Sequence, residues 1–245
     1  MKLLKLIGLL CAFLATTASA ESNLATFKYI EHEKYQLTEQ QKNHIEKTTK
    51  QTILDFENLL PELKRPMNFT VRLIDRNLKD VYGVSGRADK DDAVEIFISA
   101  TYQGGIDAAI NEGLRGTIFH ELHHTHRGWT IYDNKFPAGI DVATINEGLA
   151  DVFAELQIGR EMNKMSKTED FNSWAKEILA LPKNANYGQW MFDHPDGREA
   201  IGYRTGAYIV KLAMKNSRQD IVALSKLPIK EIYDLAGFKY RKNKL

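Results

Sequence analysis

The sequence predicts an α+β fold, with a small sheet and a helix in front and a mostly helical second half. Three observations carry this. Residues 38–60 repeat apolar side chains at helical spacing, residues 67–76 and 94–98 carry strand patterns, and nearly everything beyond residue 105 returns to helical spacing.

The elements follow in order. Thr38 and Gln41 make a capping box for the first helix. Ile45, Thr49, Ile53, Phe56 and Leu60 fall on one stripe, and Pro61 and Pro66 close the segment. In the strand over 67–76, Phe69, Val71 and Leu73 alternate. Residues 83–92, rich in Gly and Asp, read as a loop. V-E-I-F-I, from Val94 to Ile98, reads as a second strand. Gly104-Gly105 breaks the chain again. One helix is expected over 115–126 and another over about 141–158. Ile145, Leu149, Val152, Phe153 and Leu156 form the buried stripe of the second. Further helices are expected near 169–181, 197–216 and 218–226.

The first twenty residues read as a cleavable secretory signal. Lys2 and Lys5 precede an apolar run from Leu6 to Leu14, and Ala18-Ser19-Ala20 offers the small residues of a cleavage site. Export to the periplasm or beyond is the expectation, without a stable membrane anchor. The only cysteine, Cys11, lies inside this leader, so the rest of the chain has no disulfide, no cysteine nucleophile and no thiolate metal ligand. Residues 21–245 suit one domain, with lobes at about 21–105 and 106–245. The chain has 33 basic and 32 acidic residues; without Lys2 and Lys5 it keeps 31 and 32, a net charge of −1. That balance argues against a nucleic-acid partner. The basic tail Lys239, Arg241, Lys242, Lys244 reads as a solvated end.

Four of the seven histidines crowd into H-E-L-H-H-T-H, residues 120–126. Positions i and i+4 of a helix share a face, so His120 and His124 can point at one ion. Glu121 is rotated ~100° from His120, beside that ion without binding it, where a general base belongs. Gly128 can end the helix. Catalytic zinc needs a third protein ligand. Glu147, in N-E-G-L-A-D, stands 23 residues past His124 on the next helix. Asp151 shares its face, one turn on, and is placed to hold the second ring nitrogen of a ligand histidine. His126, Asp141 and Asp151 are rival ligands, but His126 points ~200° away from His124, which favours Glu147.

H-E-L-H-H, then I-N-E-G-L-A-D, then G-Y-R-T-G-A-Y-I-V-K resembles the YjaZ-like family of bacterial zinc-dependent proteases, of gluzincin type. The likeness covers roughly residues 80–235. It implies a zincin-like fold, zinc held by His120, His124 and Glu147, and Glu121 as base in peptide hydrolysis. His123 matches the family's doubled histidine, and the N-terminal third carries none of its motifs. The likeness also implies that substrate backbone pairs with a sheet edge, here expected at Val94–Ile98.

Other residues have two readings. Tyr203 is the candidate oxyanion donor, or a core ring; His194 and Arg198, in H-P-D-G-R, are the runners-up. His123 is a half-buried packing residue or a substrate contact, and His126 is expected to face solvent. His32 and His44 have no role. Ser85, Ser99 and Ser173 lack a G-x-S-x-G setting. The expectation is therefore a secreted or periplasmic zinc metallopeptidase acting on a peptide or protein substrate. The alternatives are a non-catalytic zinc-binding protein and an interaction protein braced by zinc.

Overall fold

The computed structural model describes residues 24–162 and 169–240. The expected leader, and Arg241, Lys242 and Lys244 of the basic tail, lie outside them. The fold is α+β: a four-stranded mixed sheet comes first and a mostly helical region follows.

The strands are β1 (Ala25–Ile30), β2 (Met67–Ile74), β3 (Val84–Lys90) and β4 (Ala93–Ser99), in the order β1-β2-β4-β3. β1 and β4 run parallel to β2, while β3 runs antiparallel to β4. Parallel neighbours need a crossover, and helix α1 (Glu39–Glu57) supplies it between β1 and β2. Its capping box forms as the sequence predicts: Thr38 Oγ1 accepts from the Gln41 amide at 3.2 Å and Gln41 Oε1 from the Thr38 amide at 2.9 Å. Ile45, Thr49, Ile53, Phe56 and Leu60 are all buried.

Two strand expectations are corrected. Residues 94–98 do not form an edge: β4 is flanked by β2 and β3. Val94, Glu95, Ile96 and Ile98 are all buried, and a near-continuous buried run marks an interior strand. The segment read as a loop holds the true edge, β3. Its sequence V-S-G-R-A-D-K is polar because an edge strand is half solvated and is protected from pairing by charge. β1, which no expectation covered, forms the opposite edge.

The helices are α2 (Gly105–Arg127), α3 (Ile140–Ile158), α4 (Phe171–Ala180), α5 (Tyr187–Met191), α6 (Ile201–Ser217), α7 (Ile221–Ser225) and α8 (Ile229–Leu235). α2 begins ten residues before the expected start, because Gly104 in a left-handed conformation (φ 89°) turns the chain and Gly105 already opens the helix. At its far end Gly128, at φ 64°, stops it in the left-handed conformation that glycine tolerates best. α3 and α6 cross at Gly148 and Gly206. A Cβ on Gly148 would lie 2.2 Å from the Gly206 carbonyl carbon, and one on Gly206 would lie 2.0 Å from Thr144 O. This crossing sets Glu147 and Tyr203 beside each other's helices. The main core joins Phe69, Val84 and Ile96 of the sheet to Phe119, Leu149 and Phe153 of α2 and α3. Among the described residues no helix is long and apolar enough to cross a membrane.

Candidate metal centre

α2 presents His120 and His124 one turn apart, and α3 brings Glu147 against them. His120 Nε2 and His124 Nε2 lie 2.9 Å apart, and Glu147 Oε2 lies 3.2 Å from the first and 3.0 Å from the second. All three residues are buried. Two donors each ~2.0–2.1 Å from a tetrahedral zinc stand ~3.3 Å apart, so this triangle has the dimensions of a zinc ligand set. His120 Nδ1 is 2.9 Å from Asp151 Oδ1, which holds a ring proton there and leaves Nε2, beside His124 and Glu147, as the nitrogen that would meet an ion. The described residues therefore offer a buried His-His-Glu group able to hold a metal ion.

The second oxygen of Glu147 is held apart from this triangle. Trp129 Nε1 donates to Oε1 at 3.1 Å and Lys135 Nζ approaches it at 2.8 Å. Both come from the segment after α2. Gly128 reverses the chain, the Trp129 amide donates to His124 O at 2.9 Å, and the indole swings onto Glu147. Sequence reasoning missed both residues. The helix-ending glycine was a signal for Trp129; Lys135, one lysine in a polar loop, offered none.

The charges follow from these contacts. Burial disfavours ionising Glu147, but Lys135 and the two histidines outweigh it and hold the carboxylate well below its usual range. Burial also opposes a charge on His120, yet Asp151 and Glu147 win and push it up to about 10. His124 lacks such a partner on Nδ1, and burial takes it down to about 4. Burial pushes Glu121 upward, against the pull of His120 and Lys135. Its Oε2 is buried and makes no hydrogen bond. The edge strand passes so close that a Cβ at Gly86 would stand 2.5 Å from Glu121 Cγ. Only glycine fits there.

Tyr203 is half-buried near Glu147, where desolvation and then the charges of Glu147, Tyr187, Asp151 and Glu121 raise its pKa. Tyr187, also missed, places its hydroxyl beside Glu147 without a well-formed hydrogen bond. His194 and Arg198 are engaged elsewhere: His194 Nδ1 lies 2.8 Å from Asp196, and Arg198 pairs with Glu177 and Asp196. The rival ligands are also accounted for. Asp141 Oδ2 accepts from Tyr240, Asp151 holds His120, and His126, half-buried, packs its ring 5.9 Å from Phe56. His123 is fully buried, 2.8 Å from Ser225 Oγ, with its ring against Phe153. It packs in the core.

A mixed sheet beside a helix with two histidines one turn apart, completed by a glutamate from the next helix, defines a metal-binding protein suited to zinc. The family described as predicted Zn-dependent protease (DUF2268) matches residues 64–234, and the chain belongs to it. No curated protein and no solved structure matches the chain.

Proposed function

We propose that this chain is an exported zinc metallopeptidase that hydrolyses peptide bonds, with His120, His124 and Glu147 as metal ligands. The observation that carries the reading is Glu121: a buried carboxylate beside the ligand triangle, with one oxygen free of hydrogen bonds. A site that only stored or braced an ion has no use for it.

Bound zinc would polarise the substrate carbonyl and bring the pKa of water toward ~7. Glu121 accepts the proton of the attacking water at its carboxylate and passes it to the leaving amine. Tyr203 and Tyr187 stand on the Glu147 side and supply hydroxyl donors for the carbonyl oxygen as charge develops. Asp151 keeps the proton of His120 on Nδ1; Lys135 and Trp129 keep Glu147 to one ligating oxygen. The substrate backbone pairs with β3, the edge beside Glu121, in place of the strand the sequence favoured. Phe136, Tyr187, Phe192 and Tyr203 stand in successive ring contact at 5.2, 6.1 and 6.1 Å, with Phe136 and Phe192 exposed, and offer apolar contact to a substrate side chain. The leader supports export. The near-neutral charge supports a peptide substrate over nucleic acid.

The test is Glu121→Gln. Zinc content should equal that of the wild type while peptide hydrolysis falls by ~10²–10⁴, the usual contribution of a general base. Equal loss of zinc and activity would refute the base assignment. Hydrolysis absent from the zinc-loaded wild type would favour the storage or bracing alternatives.

A further inference from the structure

We infer that this site removes one or two residues from the amino-terminal end of peptides and does not cut within long chains. The inference rests on the peptidase reading and on β3 as the pairing edge.

β3 ends the sheet, so one of its edges pairs with β4 and the other is free. Gly83 O accepts from Ser99 of β4, so odd-numbered backbone groups face β4 and those of Val84, Gly86 and Ala88 face the free edge. Glu121 packs on Gly86, so the reacting bond lies opposite Gly86. Just beyond, the edge is already taken. The Ile131 amide donates to Ala88 O at 3.0 Å and the Tyr132 amide to Asp89 O at 3.2 Å. An irregularity between Ala88 and Lys90 slips Asp89 out of the ladder and frees its carbonyl for this second bond.

The covering segment is tied down. Asn134 Nδ2 donates to Gly128 O at 2.6 Å, the Lys135 amide to Thr130 O at 3.1 Å, and Thr130 Oγ1 to Asp133. Trp129 and Lys135 then anchor it on Glu147. A strand laid on the edge at Gly86 therefore has ~7 Å before it meets Ile131, two residues at ~3.4 Å each. On the other side Val84 O meets only the Thr117 hydroxyl among the described residues. Antiparallel addition is the more stable and commoner pairing. It runs the residues before the cut bond toward Ala88. The closed end thus admits a chain's amino terminus and stops a longer extension. Water adds hydroxyl to the acyl carbon and hydrogen to the amine, releasing an amino acid or dipeptide.

The experiment incubates zinc-loaded protein with peptides of varied sequence and length and identifies the first products by mass spectrometry. Loss of one or two amino-terminal residues, whatever the peptide's length, is the expected result. First products cut internally, or trimmed from the carboxyl end, would overturn the inference and leave the peptidase reading standing. No cleavage of any peptide would overturn both. Ile131→Pro removes one donor from the covering segment, and Asn134→Ala releases its turn. Internal products should rise in either folded variant, verified by its melting temperature; an unchanged product pattern in both would also overturn the inference.

Discussion

Two buried glutamates divide the molecule. Glu95, in the middle of the sheet, and Glu147, on α3, are 5% and 0% exposed. Glu95 meets Arg72 with one oxygen and Arg87 with the other, and Arg87 also reaches Asp89. Guanidinium never gives up its proton, so each oxygen of Glu95 faces a permanent donor. Glu147 differs between its two oxygens. Oε1 has Trp129 and Lys135; Oε2 faces two imidazole nitrogens that also face each other. The first network is closed by permanent protons, and the second gathers three atoms able to hold a cation. Burial of a carboxylate therefore does not mark a site. The balance of donors around it does.

The sharpest way to break this comparison is His124→Ala. It should reduce bound zinc from about one per chain to near none, read by elemental analysis. Chelation should then lower the melting temperature of the wild type but not of the variant. Zinc at 100 times its dissociation constant contributes about 2.7 kcal/mol, roughly 5–10 °C for a domain this size. A variant that still loads zinc would remove His124 from the ligand set.

Asp151→Asn and Lys135→Met probe the contacts behind the ligands. Each should weaken zinc ~10–100-fold in competition with a chromophoric chelator while stoichiometry at saturation stays the same. Lys135→Arg should restore most of the affinity. Unchanged affinity in Lys135→Met would make that lysine a bystander. The smallest effect belongs to the closed network. Arg87→Met leaves Glu95 with Arg72, and both arginine side chains are about two-fifths exposed (43% and 40%). Stability should fall by about 1 kcal/mol or less in urea unfolding, with zinc affinity unchanged. A loss of zinc there would mean that the two networks are coupled through the sheet.

The legible part of the molecule is what short-range geometry determines. His120 and His124 come together because a helix repeats every ~3.6 residues, and Glu147 and Asp151 share a face for the same reason. Thr38 and Gln41, and Gly128, announce their helix ends by local chemistry. Sheet order was not legible in this way. The apolar run 94–98, expected at the edge, lies inside the sheet, and the polar run 84–90, read as loop, forms the edge, because position in a sheet depends on partners far along the chain. Lys135 and Tyr187 reach Glu147 from a loop and a five-residue helix, where no periodicity exists to read. Gly148 and Gly206 are visible as glycines, but their need for a bare backbone appears only once α3 and α6 touch.

The indole of Trp129 carries one more consequence. Its N–H rests on the oxygen of Glu147 that points away from the ligand triangle. Drawing charge from that carboxylate toward an ion alters the field at the ring, so the emission of this tryptophan should shift as the ion arrives. The chain has two other tryptophans, Trp174 and Trp190, neither of which touches the ligands among the described contacts. The protein thus carries its own optical gauge of metal loading, readable without label or substrate, and Trp129→Phe would silence it.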